Sequence, residues 1–464
     1  MPTTRRDFLR TSACALGSMA LASSLESFGT VHALTPQAAA DYKALVCIFL
    51  NGGNDGNNMF VSLEQYASYA AARGVDLAIP QAQLLPVSPT GGGSFGFHPN
   101  MPEMRDLFNQ GRLAVVCNNG PLVEPLTRTT YQNGTAKKPL QLFSHSDQVG
   151  LFQTAIANVV AQTGWGGRIS DLTRSLNGSA TFPQNISIAG INLLLTGVDT
   201  RQLAVADSGT SLANVLQLNN GAGSSASDNA ARTASFNELR TLDNHYKLVK
   251  AASDTRSSAI QTDIALSTVN PVLSTVFPNT SLGRQLLQIA RLIKACTDPT
   301  AGINMKRQIF FAQIGGFDTH SGQIAGQGAL MTQLSQAMKA FYDATVELGR
   351  QNEVTTFTLS DFSRTLQPSG TGTGAGSDHA WGNNHLILGG AVAGNTLYGT
   401  YPTLALGGPN DTDGGSSPRG RWIPTTSVEQ YAATLATWYG LAPTDLPAVF
   451  PLIGRFPTAN LGFV

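Results

Sequence analysis

Apolar residues in this chain fall into two patterns: short unbroken runs that end at glycine, and longer stretches spaced three and four apart. The first run, 44–50, reads Ala-Leu-Val-Cys-Ile-Phe-Leu and stops at Asn51-Gly52-Gly53-Asn54-Asp55-Gly56. A continuous apolar strand closed by glycine suits a parallel sheet covered on both faces. Runs at 112–117, 308–314, 354–360 and 386–388 repeat the pattern. Helical spacing predicts helices over 101–111, 146–162, 329–350 and 427–439; within the second, Val149, Phe152, Ala155, Ile156 and Val159 share one face. Strands alternating with helices predict an α/β fold, a three-layer sandwich around a mainly parallel sheet. The stretch at about 175–301 interrupts the alternation. It is rich in Ser, Asn, Ala and Thr, has helical spacing over 231–267 and 282–295, and reads as a helical insertion or cap.

The amino terminus follows a different logic. Arg5-Arg6 opens a charged segment, and 11–25 is uncharged and only mildly apolar. Fifteen such residues fall short of the ~20 that span a bilayer. The pattern is that of a cleavable twin-arginine export signal, with Val31-His32-Ala33 as a small-x-Ala cleavage site. The expected location is periplasmic or secreted, with no transmembrane anchor.

Composition narrows the class of function. The 464 residues carry 29 basic and 29 acidic side chains, and removing 1–33 leaves 26 against 27. That balance argues against a nucleic-acid partner held by a broad basic surface. Only 12% of residues are charged, so clustered charge stands out. Cys47, Cys117 and Cys296 are too widely spaced for a zinc cluster or a disulfide framework. They read as core thiols, with a Cys47–Cys117 bridge weighed as the alternative.

Acidic and imidazole side chains gather where predicted strands end, which is where doubly wound sheets bind ligands. Asp55 follows the first run, Asp318 and His320 follow 308–314, and Asp361 follows 354–360. His379 lies in the glycine-rich segment before 386–388 and ranks above His385, which adjoins the strand itself. Asp55, Asp318, His320, Asp361 and His379 are the expected ligands of a divalent metal, zinc or manganese by donor type. Each also has a plainer reading, as a turn former, a cap or a core histidine. Ser144-His145-Ser146 precedes a predicted helix, so Ser144 or Ser146 could attack a phosphorus or sulfur centre, or simply cap the helix. Ser146 is the better cap and Ser144 the freer nucleophile, with His145 beside it. No Gly-x-Gly-x-x-Gly follows the first strand, and no Walker loop occurs.

Several of these segments together resemble a family of exported bacterial proteins, domain of unknown function 1501. They are Phe49 to Asn58, Phe97-His98-Pro99, Ser144-His145, Gly164-Trp165-Gly166-Gly167-Arg168, Gly316-Phe317-Asp318-Thr319-His320, Ser360-Asp361-Phe362-Ser363-Arg364-Thr365 and Asp378-His379-Ala380-Trp381. That family is similar to the alkaline phosphatase and sulfatase superfamily. The resemblance implies the superfamily's α/β sandwich and hydrolysis or transfer of a small-molecule or polymer-linked phosphate or sulfate ester at one or two metals. Asn51 stands where the superfamily has an aspartate. Phe362 stands where it has a histidine, and Asp318-x-His320 is shorter than its usual spacing. The competing reading is a non-catalytic exported binding or surface-assembly protein that keeps the fold.

Overall fold

The middle of the sheet is a strand whose side chains alternate between two cores. In β1 (Lys43–Leu50), Ala44, Val46, Ile48 and Leu50 join one apolar cluster, and Leu45, Cys47 and Phe49 join the other. This is the period of two expected of a strand buried on both faces. The computed structural model describes residues 39–180, 182–209, 225–241, 250, 253 and 271–464. The expected signal and its cleavage site lie outside the described residues, as does most of the helix expected over 231–267.

After β1, the elements used below are α1 (Tyr66–Leu77), α2 (Pro102–Asn109), β2 (Leu113–Gly120), α3 (His145–Thr154) and α4 (Trp165–Thr173). Next come β3 (Asn185–Ser187), β4 (Gln202–Ala204), α5 (Ser281–Thr297), β5 (Arg307–Ile314), α6 (Gln323–Glu347) and β6 (Val354–Ser360). The chain closes with β7 (Asn383–Leu388), β8 (Leu397–Tyr398), β9 (Thr426–Ser427) and α7 (Val428–Tyr439). Among the described residues one nine-stranded sheet runs β8-β2-β7-β6-β1-β5-β3-β4, with β9 also pairing with β2. Every pairing is parallel except those of β7, which runs antiparallel to both β2 and β6. Helices α2, α5 and α6 cover one face, and α3, α4 and α7 cover the other. The result is a three-layer α/β sandwich.

Register places the chemistry. Leu50 pairs with Ile314 on one side and Ser360 on the other, so β1, β5 and β6 end in line. The loops bearing Asp55, Asp318 and Asp361 therefore leave from one edge. Antiparallel β7 begins at that edge, which brings in the preceding segment with His379.

Local features set the helix ends. Ser427 caps α7 through a box with Gln430, and Gly440 closes it in the left-handed region. The helix expected over 146–162 is shorter, ending at Thr154. Trp165 Nε1 donates to the Phe152 carbonyl and Arg168 Nη2 to the Thr154 carbonyl, and Ala155 turns left-handed. Groups from α4 thus take up carbonyls of its last turn. At its start, Ser144 rather than Ser146 occupies the N-cap position.

The cysteines follow the core-thiol reading rather than the bridge weighed against it, and the described part of the stretch at about 175–301 carries strands as well as helices. Strands β6 and β7 separate β1 from β2, which puts Cys47 about 14 Å from Cys117 at ~4.8 Å per strand. No bridge spans that gap, and Cys47, Cys117 and Cys296 are free and buried. Within the stretch expected to be a helical cap, β3 and β4 extend the main sheet, and α5 sends Leu282, Leu286, Ile289 and Ile293 into the core.

Candidate metal centre at the strand ends

Three imidazoles and a carboxylate meet at this edge. His145 is the first residue of α3, and its Nε2 lies 3.0 Å from His379 Nε2 and 3.4 Å from Asp318 Oδ1. His379 Nε2 is 3.6 Å from the same oxygen. His145, Asp318 and His379 offer ligand atoms all within 4.8 Å of one another. His320 flanks them, with Nε2 at 2.9 Å from His379 Nε2 and 3.1 Å from Asp318 Oδ1. Donors on a tetrahedral zinc at ~2.0–2.1 Å stand about 3.3 Å apart, which matches the spacing of His145, Asp318 and His379.

The opposite ring nitrogens decide the tautomers. His379 Nδ1 lies 2.7 Å from the Phe143 carbonyl, which can only accept, so Nδ1 carries the proton. His145 Nδ1 donates to Asp361 Oδ2 at 2.7 Å, and His320 Nδ1 to Asp378 Oδ1 at 3.3 Å. In the neutral rings each Nε2 therefore presents a lone pair at about 3 Å from its neighbour; that of His320 also accepts Arg364 Nη1 at 3.4 Å, whereas those of His145 and His379 meet no protein donor among the described residues. They repel unless a cation sits among them. A proton on His379 is disfavoured by burial first and then by Arg364, His145 and His320, which outweigh the Phe143 carbonyl. A divalent metal fits this donor set, with the carboxylate and carbonyl partners behind the rings fixing their orientation.

Arg364 organises the other side. It is fully buried and donates to the carbonyls of Gly52, Gly53, Phe317 and Ser377 and to Asp318 Oδ1. Burial pulls the Asp318 carboxyl upward, yet Arg364, His145 and His320 hold it below the usual carboxylate range. Burial opposes ionisation of Asp378 too, and Ser369 and Arg419 overcome it. The β1 and β5 loops touch so closely that a Cβ on Gly52, which sits at φ +113°, would lie 2.5 Å from the Asp318 amide nitrogen. Only glycine suits that position. Phe143, at φ +72°, holds a left-handed backbone just before α3 and turns its carbonyl to His379. Such a bulky residue is strained there, a feature that clusters at functional sites.

The expected ligands thus divide. Asp318, His320 and His379 come together, joined by His145, the expected neighbour of the nucleophile. Asp361 stands one step behind: it is buried, with Oδ1 accepting the Gly52 amide and Oδ2 holding His145 Nδ1. Asp55 is elsewhere. It caps a short helix through Asn57 and pairs with fully buried Arg73 and with Gln323, so its oxygens are spent inside the protein. Phe362 packs its ring against His145 and His379, at centroid distances of 4.7 and 4.6 Å. Ser144 Oγ donates to Asp147 Oδ2 at 2.6 Å and makes no hydrogen bond to the cluster among the described residues. His385 is a core histidine between Phe152 and Tyr431, with burial pushing it down to about 3. Sequence reasoning passed over Arg364 and Asp378, although both stand within three residues of a chosen ligand.

No helix among the described residues is long and apolar enough to cross a membrane. No curated protein matches the sequence. Among solved structures, Ps i-CgsB in complex with k-i-k-neocarrahexaose is 9% identical, covers 88% of this chain and 74% of its own, and has a TM-score of 0.33. The PsFucS1 sulfatase from Pseudoalteromonas sp. is 10% identical over 80% of this chain and 66% of its own, with a TM-score of 0.29. The phosphonate monoester hydrolase of Agrobacterium radiobacter is 9% identical over 86% and 74%, with a TM-score of 0.32. At these values none of them speaks to what this chain does. The sequence itself matches a family over residues 42–411, and the chain belongs to that family, described as Protein of unknown function (DUF1501).

Proposed function

We propose that this chain is an exported metal-dependent hydrolase of phosphate or sulfate esters. The observation that carries the reading is the set of Nε2 lone pairs facing one another beside Asp318, with each Nδ1 committed to an acceptor. His145, Asp318 and His379 would hold the ion, and the nitrogen-rich donor set suits zinc or manganese. Bound there, a divalent metal would polarise an ester oxygen and offset the charge that develops on it.

The chain's own groups supply the rest. Asp318 and His320 are each about half exposed, so the cluster is open to a substrate from solvent. Buried Arg364 adds a fixed positive charge next to Asp318, which favours an anionic group at the centre. His320, oriented by Asp378, is placed to take a proton from an attacking group. Ser144 remains the candidate nucleophile: it precedes His145 at the start of α3, and the Asp147 carboxylate at 2.6 Å can accept its proton. The phosphate or sulfate class rests on the family resemblance in the sequence, as does the twin-arginine route out of the cytoplasm.

Elemental analysis of chain purified from the exported fraction tests this, followed by assays on phosphate mono-, di- and sulfate esters with zinc or manganese. The expected result is bound metal that His379→Ala loses, and ester hydrolysis that Ser144→Ala loses while keeping the metal. Folded chain that takes up no metal overturns the reading in favour of a non-catalytic exported binding protein.

A further inference from the structure

A sizeable cavity lies apart from the metal cluster. It encloses about 640 Å³ between the end of α1, the loop around His98, the first turns of α6 and the 372–375 loop. None of His145, Asp318, His320 or His379 lines it. The size falls within the range of small-molecule sites. Its walls are mostly apolar, with Ile79, Pro80, Pro99 and Ile324 among them. Asp76 is the one charged side chain among the described lining residues, and its Oδ1 already accepts the Gly372 amide at 2.7 Å. Among the described lining residues there is no cation, so a phosphate or sulfate would meet a carboxylate and a few neutral polar groups in a mostly apolar wall.

One polar group gives the cavity direction. His98 is 96% buried, and its Nδ1 accepts the Asn100 amide at 3.1 Å. That bond puts the ring proton on Nε2. Among the described residues no protein group pairs with Nε2. The Cε1 atom beside it lies 3.8 Å from where a Cβ on Gly328 would stand, and Gly328 is part of the cavity wall. The Nε2 atom is not sealed in the core, so its N–H meets the cavity, where a ligand acceptor can take the place of water. Burial also lowers the ring to about 4, so it stays neutral and a single N–H is offered.

We propose that this cavity is a second binding site, which takes an uncharged, largely apolar small molecule and anchors one acceptor oxygen on His98 Nε2–H. It is independent of the metal centre and of the reaction proposed there. Gly328 is the natural place to close it: it lies inside α6, and an added Cβ meets only Asn100 Nδ2 at 3.4 Å and His98 Cε1.

The experiment titrates the full chain with 6-propionyl-2-(dimethylamino)naphthalene, a neutral fluorophore carrying one carbonyl acceptor. Saturable, blue-shifted binding of one equivalent is expected, at least tenfold tighter than that of the anionic 8-anilino-1-naphthalenesulfonate. Gly328→Leu, shown to be folded by thermal unfolding, should weaken it tenfold or more. Should that variant not fold, Ala325→Phe at an exposed position on the cavity wall decides the matter by the same tenfold loss. Absence of saturable binding, or affinity unchanged in the folded plugged variant, overturns the site. Equal affinity for the anionic dye overturns the assigned ligand class.

Discussion

Asp55 and Asp318 hold similar places in the fold: each follows a central strand, and each is paired with a fully buried arginine. Their surroundings differ in one respect that decides their roles. Asp55 is wholly buried, and Arg73, Gln323 and the Asn57 amide take up its oxygens. Asp318 is about half exposed, shares one oxygen with Arg364 and three imidazoles, and faces solvent. The first carboxylate is a structural ion pair, and the second keeps lone pairs open to solvent beside three imidazoles. An aspartate at a strand end becomes chemistry only when the packing leaves it lone pairs to share.

The strongest way to break this comparison is to remove each partner. Arg73→Ala leaves Asp55 as an uncompensated buried charge and should cost about 3–5 kcal/mol in denaturant unfolding. Asp318→Asn takes the counter-charge from buried Arg364 but leaves it four carbonyl acceptors, so it should cost less, about 1–2 kcal/mol, and yet abolish metal uptake. Equal destabilisation by the two changes would sink the distinction.

Glu429 extends the comparison to a carboxylate with no arginine on it. One of its oxygens accepts the Leu452 amide at 3.2 Å, and the other is buried without a partner. Burial, against Leu452, Arg168 and Arg455, pushes it up to about 8 from 4.5. The folded chain therefore holds a proton that the unfolded chain releases between those values. Stability should fall as pH rises from about 4.5 to about 8, by on the order of 5 kcal/mol, and level off above. Glu429→Gln should flatten that slope in unfolding measured across the window. An unchanged slope would show that Glu429 is ionised in the folded chain.

Two smaller effects sharpen the metal centre. His379→Ala should lower zinc affinity by about 100-fold or more, whereas His385→Gln should leave it within about twofold. Asp361→Asn keeps every ligand but weakens the acceptor behind His145, so an intermediate loss of about tenfold is expected by competition with a chelator. A loss as large as that of His379→Ala would instead place Asp361 on the metal itself.

Much of this was legible in the chain. Apolar runs located β1, β5 and β6, and their parallel pairing places Asp318 and Asp361 at one edge, with β7 bringing in His379. Helix spacing located α2, α6 and α7 to within a few residues at each end, α6 beginning earlier than its pattern suggested. These features are local, set by the period of the side chains and the conformational freedom of glycine, so a sequence can determine them.

What the sequence could not determine is which polar groups find each other across long separations. Arg73 lies 18 residues from Asp55, His145 lies 216 residues from Asp361, and nothing nearby in the chain announces either pair. The sequence determined that carboxylates and imidazoles would arrive at one edge of an α/β sheet. Only the tertiary structure decided that Asp55 would be sealed by an arginine, that Asp361 would stand behind His145, and that His145 would turn its Nε2 toward Asp318. Those choices depend on burial and on hydrogen-bond partners, which exist only once the layers have packed.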